Sequence, residues 1–316
     1  MSRCLFTYKE MAATKIYSEE GLKKLNPRLK DLKVFPYSKV EQDIEVQRYA
    51  GKISIQGVQP KLSAKLSVKD QSFQLTDKDG DFILKPQVDN FKELPQNEDL
   101  TMHLAELAGM KVPWHGLIKA KDGSLIYAIK RFDRLPRKRK LPQEDFAQLM
   151  GATRTTKYQA SMEKVCEIIE EFCTYPVIEL EKLFRLTLFA FLTGNEDMHL
   201  KNFSLQTDLK NIVKLTPAYD LVNTTIAMVD PKEEMALELN GKKHGFIRSD
   251  FISYFAAKHC YLSQQQAEKI LGEYLNLIPE FQRWIGMSFL SDEMKRRYNE
   301  LLLERAKRLS DVRKPS

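Results

Sequence analysis

Cysteine is scarce in this sequence, and its placement excludes two fold classes at once. Only Cys4, Cys166, Cys173 and Cys260 occur, with no CxxC pair, so neither a zinc knuckle nor a disulfide framework has the spacing it needs. Scattered thiols fit a reducing compartment, and a cytoplasmic protein is expected. The start, MSRCLFTYKEM, has no apolar core of a secretory leader. Long hydrophobic runs are also missing. The most apolar one, Leu183 to Thr193, contains Arg185 and is far short of the roughly 20 residues a membrane helix requires. It reads as a core helix, and no membrane contact is expected. There is no internal repeat and no low-complexity tract. Neither G-x-G-x-x-G nor a Walker A pattern occurs, which removes the two commonest glycine-rich phosphate loops.

What remains is an ordinary globular composition. Hydrophobic residues make up 43% of 316, enough for a normal core. The excess of basic over acidic residues, 50 against 43, gives a formal charge of +7. That charge suits nucleotide phosphates or an RNA-linked partner, and solubility alone explains it equally well. No aromatic–basic RNA motif is present, so specific nucleic-acid binding is not expected.

Turn residues punctuate the first half. Leu62, Ala64, Leu66 and Val68 alternate with polar residues at the period of a half-buried strand. Asp79-Gly80 precedes the apolar strand Phe82-Ile83-Leu84, and Asp122-Gly123 separates Leu117-Ile118 from Leu125 to Ile129. An Asp-Gly pair between apolar runs signals a hairpin, because glycine supplies the positive φ. Between these strands Asn97 is placed to cap a helix containing Leu100, Leu104, Leu107 and Ala108, closed by Gly109. The second half is mostly helical, ending in a segment with Met294, Tyr298, Leu301, Leu302 and Leu309 at helical spacing. The pattern predicts an α+β fold with a β-rich N-terminal lobe, residues 1–135, and a helical C-terminal lobe, residues 136–316. The boundary falls in Arg134 to Pro142, where two prolines flank four basic residues, as in an exposed loop.

The chemistry concentrates in Gly194-Asn195-Glu196-Asp197-Met198-His199-Leu200-Lys201-Asn202-Phe203, which follows the apolar helix. Phosphoryl transfer needs a carboxylate to orient the attacking hydroxyl and an oxygen ligand for Mg²⁺, and D-x-x-x-x-N supplies both. Asp197 and Asn202 have that spacing. Asp220 follows a candidate strand, Asn211 to Leu215, and offers a second metal ligand. The competing reading is a helix-capping cluster built on Asn195 or Asp197. Lys201 could neutralise charge on the moving phosphoryl group, whereas His199 alone reads as a packed or surface side chain. Lys85 ends the strand Phe82 to Leu84, where a charge is costly unless something anionic meets it, and Glu98 is its candidate ion-pair partner. Lys130 to Phe132 could form a hinge offering backbone groups to adenine.

Six segments in collinear order over roughly residues 45 to 225 together resemble the HipA-like serine/threonine kinase toxins. Ile53 to Lys61 looks like their phosphate loop, Phe82 to Pro86 their ATP-lysine strand, and Lys130 to Arg134 their hinge. Gln143-Glu144-Asp145-Phe146 matches a family segment, Asn195 to Ser204 the catalytic loop, and Pro217 to Asp220 the metal loop. The resemblance implies a two-lobed protein-kinase-like fold using ATP and Mg²⁺. Asp197 would be the base, assisted by Lys201, with Asn202 and Asp220 on the metal. Gln56, Gly57, Val58, Gln59, Lys61, Lys85, Lys130, Phe132, His199 and Asn202 would line the nucleotide, and Ser54 would be an inhibitory autophosphorylation site. Implied substrates are aminoacyl-tRNA synthetases, tRNA-bound or free, with the tryptophanyl enzyme favoured. Pro60 stands where the family often has an acidic residue. The phosphate loop begins near residue 53, so the sequence resembles the short HipT-type toxins. Their partners would be a small antitoxin standing in for an N-terminal subdomain and a DNA-binding antitoxin. Two other readings are a small-molecule or lipid kinase with the same Asp-x₄-Asn loop, and a pseudokinase regulator.

Overall fold

Local turn chemistry builds the first sheet. The structure, a computed structural model, describes residues 2–49, 59–136, 139–153, 156–228 and 233–311, and its chain divides into two units. The first comprises Met1–Leu100, Pro113–Lys138 and Met287–Phe289. It opens with a short antiparallel pair, β1 (Ser2–Arg3) and β2 (Glu10–Met11), and helices α1 (Glu19–Leu25) and α2 (Lys39–Tyr49). Then follow β3 (Leu62–Ser67), β4 (Ser72–Leu75), β5 (Phe82–Lys85), helix α3 (Leu94–Leu107), β6 (His115–Lys119), β7 (Leu125–Lys130) and the two-residue β8 (Arg134–Leu135). The order of the five-stranded sheet is β4-β3-β5-β7-β6, with every neighbouring pair antiparallel.

Each turn works differently in detail. Gly123 takes φ +88°, as the Asp-Gly rule requires. At the earlier pair the left-handed residue is Asp79, φ +54°, and Gly80 is there for space. A Cβ at Gly80 would lie 2.0 Å from the Ser63 hydroxyl. The clean alternation expected of β3 is also lost at its start. Leu62, Ser63 and Ala64 are all buried, because β3 runs between β4 and β5. Helix α3 begins three residues before the expected cap. Asn97 lies inside it, fully buried, its N–H donating to Glu93 O. Pro95 in the first turn accounts for the early start, since a proline there sacrifices no helical hydrogen bond.

The second unit comprises Thr101–Val112, Arg139–Gly286 and Leu290–Ser316. The later half of α3 thus groups with the helices instead of the sheet, a different division from a single break after residue 135. Within this unit Thr101 hydrogen-bonds to the buried Tyr298 hydroxyl at 3.0 Å. Its elements are β9 (Arg139–Lys140), β10 (Gln143–Asp145), α4 (Phe146–Leu149), α5 (Met162–Phe172), α6 (Pro176–Thr193), β11 (Ser204–Thr207), β12 (Val213–Leu215) and α7 (Thr224–Ala227). A π-helical segment (Asp250–His259), α8 (Gln264–Asn276), α9 (Ile278–Met287) and α10 (Asp292–Ser310) complete it. Arg134 to Pro142, expected as a loop, carries the short strands β8 and β9, and β9 is exposed.

Helix α6 is the core element on which the loop after it is mounted. Pro176 starts it, and Leu180, Leu183, Phe184, Leu188, Phe189, Phe191 and Leu192 are fully buried. Arg185 does not break this apolar run because its guanidinium reaches Glu181 at 3.0 Å and Glu273 at 2.9 Å. Gly194 ends the helix at φ +72°, and a Cβ there would lie 2.4 Å from Leu301 and 2.7 Å from Asn223. Gly194→Ala is therefore expected to destabilise the protein by about 2–4 kcal/mol, combining left-handed strain with crowding. Urea denaturation should show a lowered midpoint at unchanged m-value. Among the described residues no helix is long and apolar enough to cross a membrane.

Candidate active site

A small antiparallel sheet of order β10-β11-β12 gathers the polar residues of the second unit. Leu205 pairs with Leu215, and Thr216 N–H donates to Ser204 O at 3.0 Å. The segment entering β11 and the segment leaving β12 therefore emerge at the same end. The first carries Asp197, His199, Lys201 and Asn202; the second carries Asp220. Tyr219 ties them together. Its hydroxyl donates to Lys201 O at 2.9 Å and lies 2.6 Å from Ser204 Oγ, and burial pushes its pKa well up. Asp220 sits at φ +59°, a left-handed conformation that aspartate tolerates better than most residues. Gln143–Asp145 forms β10 against β11, and Asp145 then caps α4 through a capping box with Gln148.

Within the loop, Asn195 takes the structural task and Asp197 does not. Asn195 is buried, and its Oδ1 accepts the Asp197 N–H at 3.2 Å. The Asp197 side chain is half-exposed, and its Oδ1 accepts a hydrogen bond from the Tyr158 hydroxyl at 2.7 Å. His199 Nε2 is 3.9 Å from that same oxygen. Lys201 and Asn202 lie in the single 3₁₀ turn Leu200–Asn202, with Asn202 N–H donating to His199 O. So Asp197, His199, Asn202 and Asp220 share one end of one sheet, with a carboxylate open to solvent among them.

Two neighbours were not foreseen from the sequence. Lys157 is buried and in hydrogen-bond contact with His199 Nε2, and Tyr158 packs edge-on against the His199 ring at 5.0 Å. Lys157 lies 42 residues before His199 and Tyr158 39 residues before Asp197, in a turn without periodicity, so no local pattern marks them. Behind the loop, Glu196 meets Arg305 of α10. Arg305 is only 2% exposed, donates to Phe191 O at 2.6 Å and to Glu196 at 3.2 Å, and stacks over the Phe191 ring at 4.9 Å. Thr225 hydrogen-bonds to the same Glu196 carboxylate.

In the first unit, Lys85 and Glu98 form a buried ion pair of 2.5 Å, their side chains 4% and 2% exposed, with the Lys85 ammonium 5.6 Å from the Tyr127 ring centroid. Burying two charges brings little net stability, so such a pair between strand β5 and helix α3 is a mark of function more than of folding. Gln59 and Lys61 lead directly into β3. Lys130 ends β7, and its N–H is committed to Trp114 O at 2.8 Å, so a hinge contact from Lys130 would have to use its carbonyl. Phe132 lies in the turn just after β7. The remaining phosphate-loop residues, Ser54, Gln56, Gly57 and Val58, lie outside the described residues.

Comparison with known proteins gives these segments a common context. Residues 53–280 match the family model of the HipA-like C-terminal domain. A putative kinase of Haemophilus influenzae is 32% identical over 230 residues, 66% of this chain and 64% of the relative. The serine/threonine-protein kinase toxin HipA of Shewanella oneidensis is 27% identical over 212 residues, 60% of this chain and 47% of the toxin. The chain thus spans between about half and two-thirds of the length of the curated relatives it matches. Among solved structures, HipA of Shewanella oneidensis MR-1, in complex with HipB and operator DNA, aligns with a TM-score of 0.69 at 22% identity. That alignment covers 89% of this chain and 72% of HipA. The Helicobacter pylori proinflammatory kinase CtkA aligns with a TM-score of 0.53 at 17% identity, covering 72% of this chain and 86% of CtkA. The fold is theirs, a mixed α/β kinase-like architecture. With more than two-thirds of its length inside the family model, the chain belongs to the HipA-like C-terminal domain family.

Proposed function

We propose that the chain is an ATP-dependent serine/threonine protein kinase that acts as a toxin of a toxin–antitoxin system. The observation that supports this reading is the β11–β12 pairing, which brings the segment containing Asp197 and Asn202 and the segment containing Asp220 to the same end of one sheet. In this reading Asp197 orients the acceptor hydroxyl, and Asn202 and Asp220 are the oxygen ligands of Mg²⁺, a hard cation that favours such donors. The metal's contribution is to offset charge on the ATP phosphates. Lys201 and His199 supply positive or donor groups nearby. Lys85, held by Glu98, contacts phosphate, and Gln56 to Lys61 line the nucleotide while Lys130 and Phe132 flank adenine. The Lys–Glu pairing in the first unit is the arrangement protein kinases use for that lysine.

The toxin role follows the name of the Shewanella relative, whose solved structure holds an antitoxin and operator DNA. Partners of the same kind are proposed here: a DNA-binding antitoxin and a small antitoxin. The proposed substrate is an aminoacyl-tRNA synthetase, the tryptophanyl enzyme first, with translation stalling as the consequence. Incubating the protein with γ-labelled ATP, Mg²⁺ and each purified synthetase tests this, with growth rescue by extra synthetase copies as the cellular counterpart. Label on one synthetase supports the assignment; label confined to lipid or a small molecule would replace it.

Self-control is assigned to Ser54. A phosphoserine adds about −1.5 to −2 charges beside groups meant for ATP phosphates, and the two compete. Ser54→Ala is expected to lose self-labelling while keeping transfer to substrate, and Ser54→Asp to weaken ATP binding. Mass spectrometry after ATP incubation decides it; phosphate elsewhere with Ser54 unmodified contradicts the mechanism.

A further inference from the structure

Lysine is seldom buried without a partner that accounts for it. Lys157 is 8% exposed, and its ammonium lies against Nε2 of His199. An ammonium only donates. Nε2 is therefore the acceptor, and the proton of the neutral imidazole must reside on Nδ1. That Nδ1 is buried and meets no hydrogen-bond partner in the protein, on a residue only 6% exposed. A buried donor left without an acceptor costs free energy, and its retention on a ring whose Nε2 lies 3.9 Å from the half-exposed carboxylate of Asp197 points to a ligand acceptor.

The surroundings hold this state in place. The Lys157 ammonium stands 4.6 Å from the Tyr158 ring centroid, and that ring packs edge-on against the imidazole. Leu200 N–H donates to Lys157 O, joining the two segments through their backbones as well. Burial lowers the His199 pKa; the Asp197 charge opposes this and the Lys157 charge adds to it.

We propose that Lys157 is a positioning residue that fixes His199 in the Nδ1–H tautomer, so that this hydrogen is offered to an anionic oxygen of the phosphoryl group transferred at Asp197. The proposal rests on the kinase reading of the site and adds to it a residue outside the D-x₄-N loop. The partner of Nδ1 is then an oxygen of a phosphate ester or anhydride, a rich acceptor that the protein itself does not supply.

Two arms test it separately. In ligand-free protein labelled with ¹⁵N-histidine, the five histidines give separable ring signals, and His199→Asn identifies the one of interest. The wild type should show His199 as Nδ1–H, and Lys157→Met should shift it toward Nε2–H. In kinetics, Lys157→Met should lower kcat about 10- to 100-fold, the usual effect of removing a group that orients a functional histidine, with little change in KM for ATP. Asparagine places an amide N–H near Nδ1, and glutamine places one near Nε2. His199→Asn should accordingly retain more activity than His199→Gln, and adding Lys157→Met to His199→Asn should cost little more. An Nε2–H tautomer in the wild type overturns the proposal, and this reading is made on the wild-type protein once the His199 signal is assigned. So does full kcat in a folded Lys157→Met. If the Nδ1–H signal is lost in Lys157→Met while the wild type transfers no phosphate to any acceptor, the kinase reading falls and only the tautomer assignment stands.

Discussion

Asp197→Asn is expected to reduce phosphoryl transfer by about 100- to 10,000-fold, the usual contribution of a positioned general base. The amide keeps the shape of the side chain and an oxygen that accepts from the Tyr158 hydroxyl, so the loop has no reason to rearrange. What it loses is the negative charge that orients and receives the acceptor proton. Stability should stay within about 0.5 kcal/mol of wild type, because the side chain is half-exposed. The check is a labelled-ATP assay run beside thermal unfolding of the same preparation. A folded Asp197→Asn protein with wild-type transfer would remove Asp197 from the mechanism.

The largest stability effect is expected behind the loop that carries Asp197, at Arg305. Its guanidinium is 2% exposed and Glu196 is 6% exposed, so removing one partner strands a buried charge. Arg305→Met should cost about 3–5 kcal/mol, as for other buried pairs broken on one side. It also removes the donors to Phe191 O and the Glu196 carboxylate, which fasten the end of α6 and the loop carrying Asp197. Activity should fall together with the melting temperature. Glu196→Gln combined with Arg305→Met should recover much of the lost stability, because no charge is then left buried alone. A double-mutant cycle with denaturant unfolding measures this. Simple additivity of the two losses would show that the pair is not coupled.

These contacts also show where the sequence could and could not be read. The Asp122-Gly123 hairpin was legible because its cause is local: one glycine at positive φ between two apolar runs. The core character of α6 was legible for the same reason, despite Arg185, since apolar residues recur along it. The start of α3 was misplaced because Asn97 is a good cap by type, while Pro95, which sacrifices no helical hydrogen bond in a first turn, lets the helix begin at Leu94. At the site, Asp197, Asn202 and Asp220 stood out through spacing and position after a core helix. Lys85 and Glu98 could be paired because they lie 13 residues apart on adjoining elements. Lys157, Tyr158 and Arg305 could not be found in this way. Arg305 meets Glu196 across 109 residues, and Lys157 and Tyr158 come from a turn with no pattern. Only the folded chain reveals what they touch.

The central claim is that a metal-bound nucleotide phosphate sits at the end of the β11–β12 pair. Crystals grown with Mn²⁺ and a non-hydrolysable ATP analogue test this most directly, through anomalous scattering from the metal. The account predicts a manganese peak in coordination contact with both the Asn202 side-chain oxygen and the Asp220 carboxylate, beside Asp197. Nucleotide bound with its metal elsewhere, leaving Asn202 and Asp220 without a ligand, would contradict it.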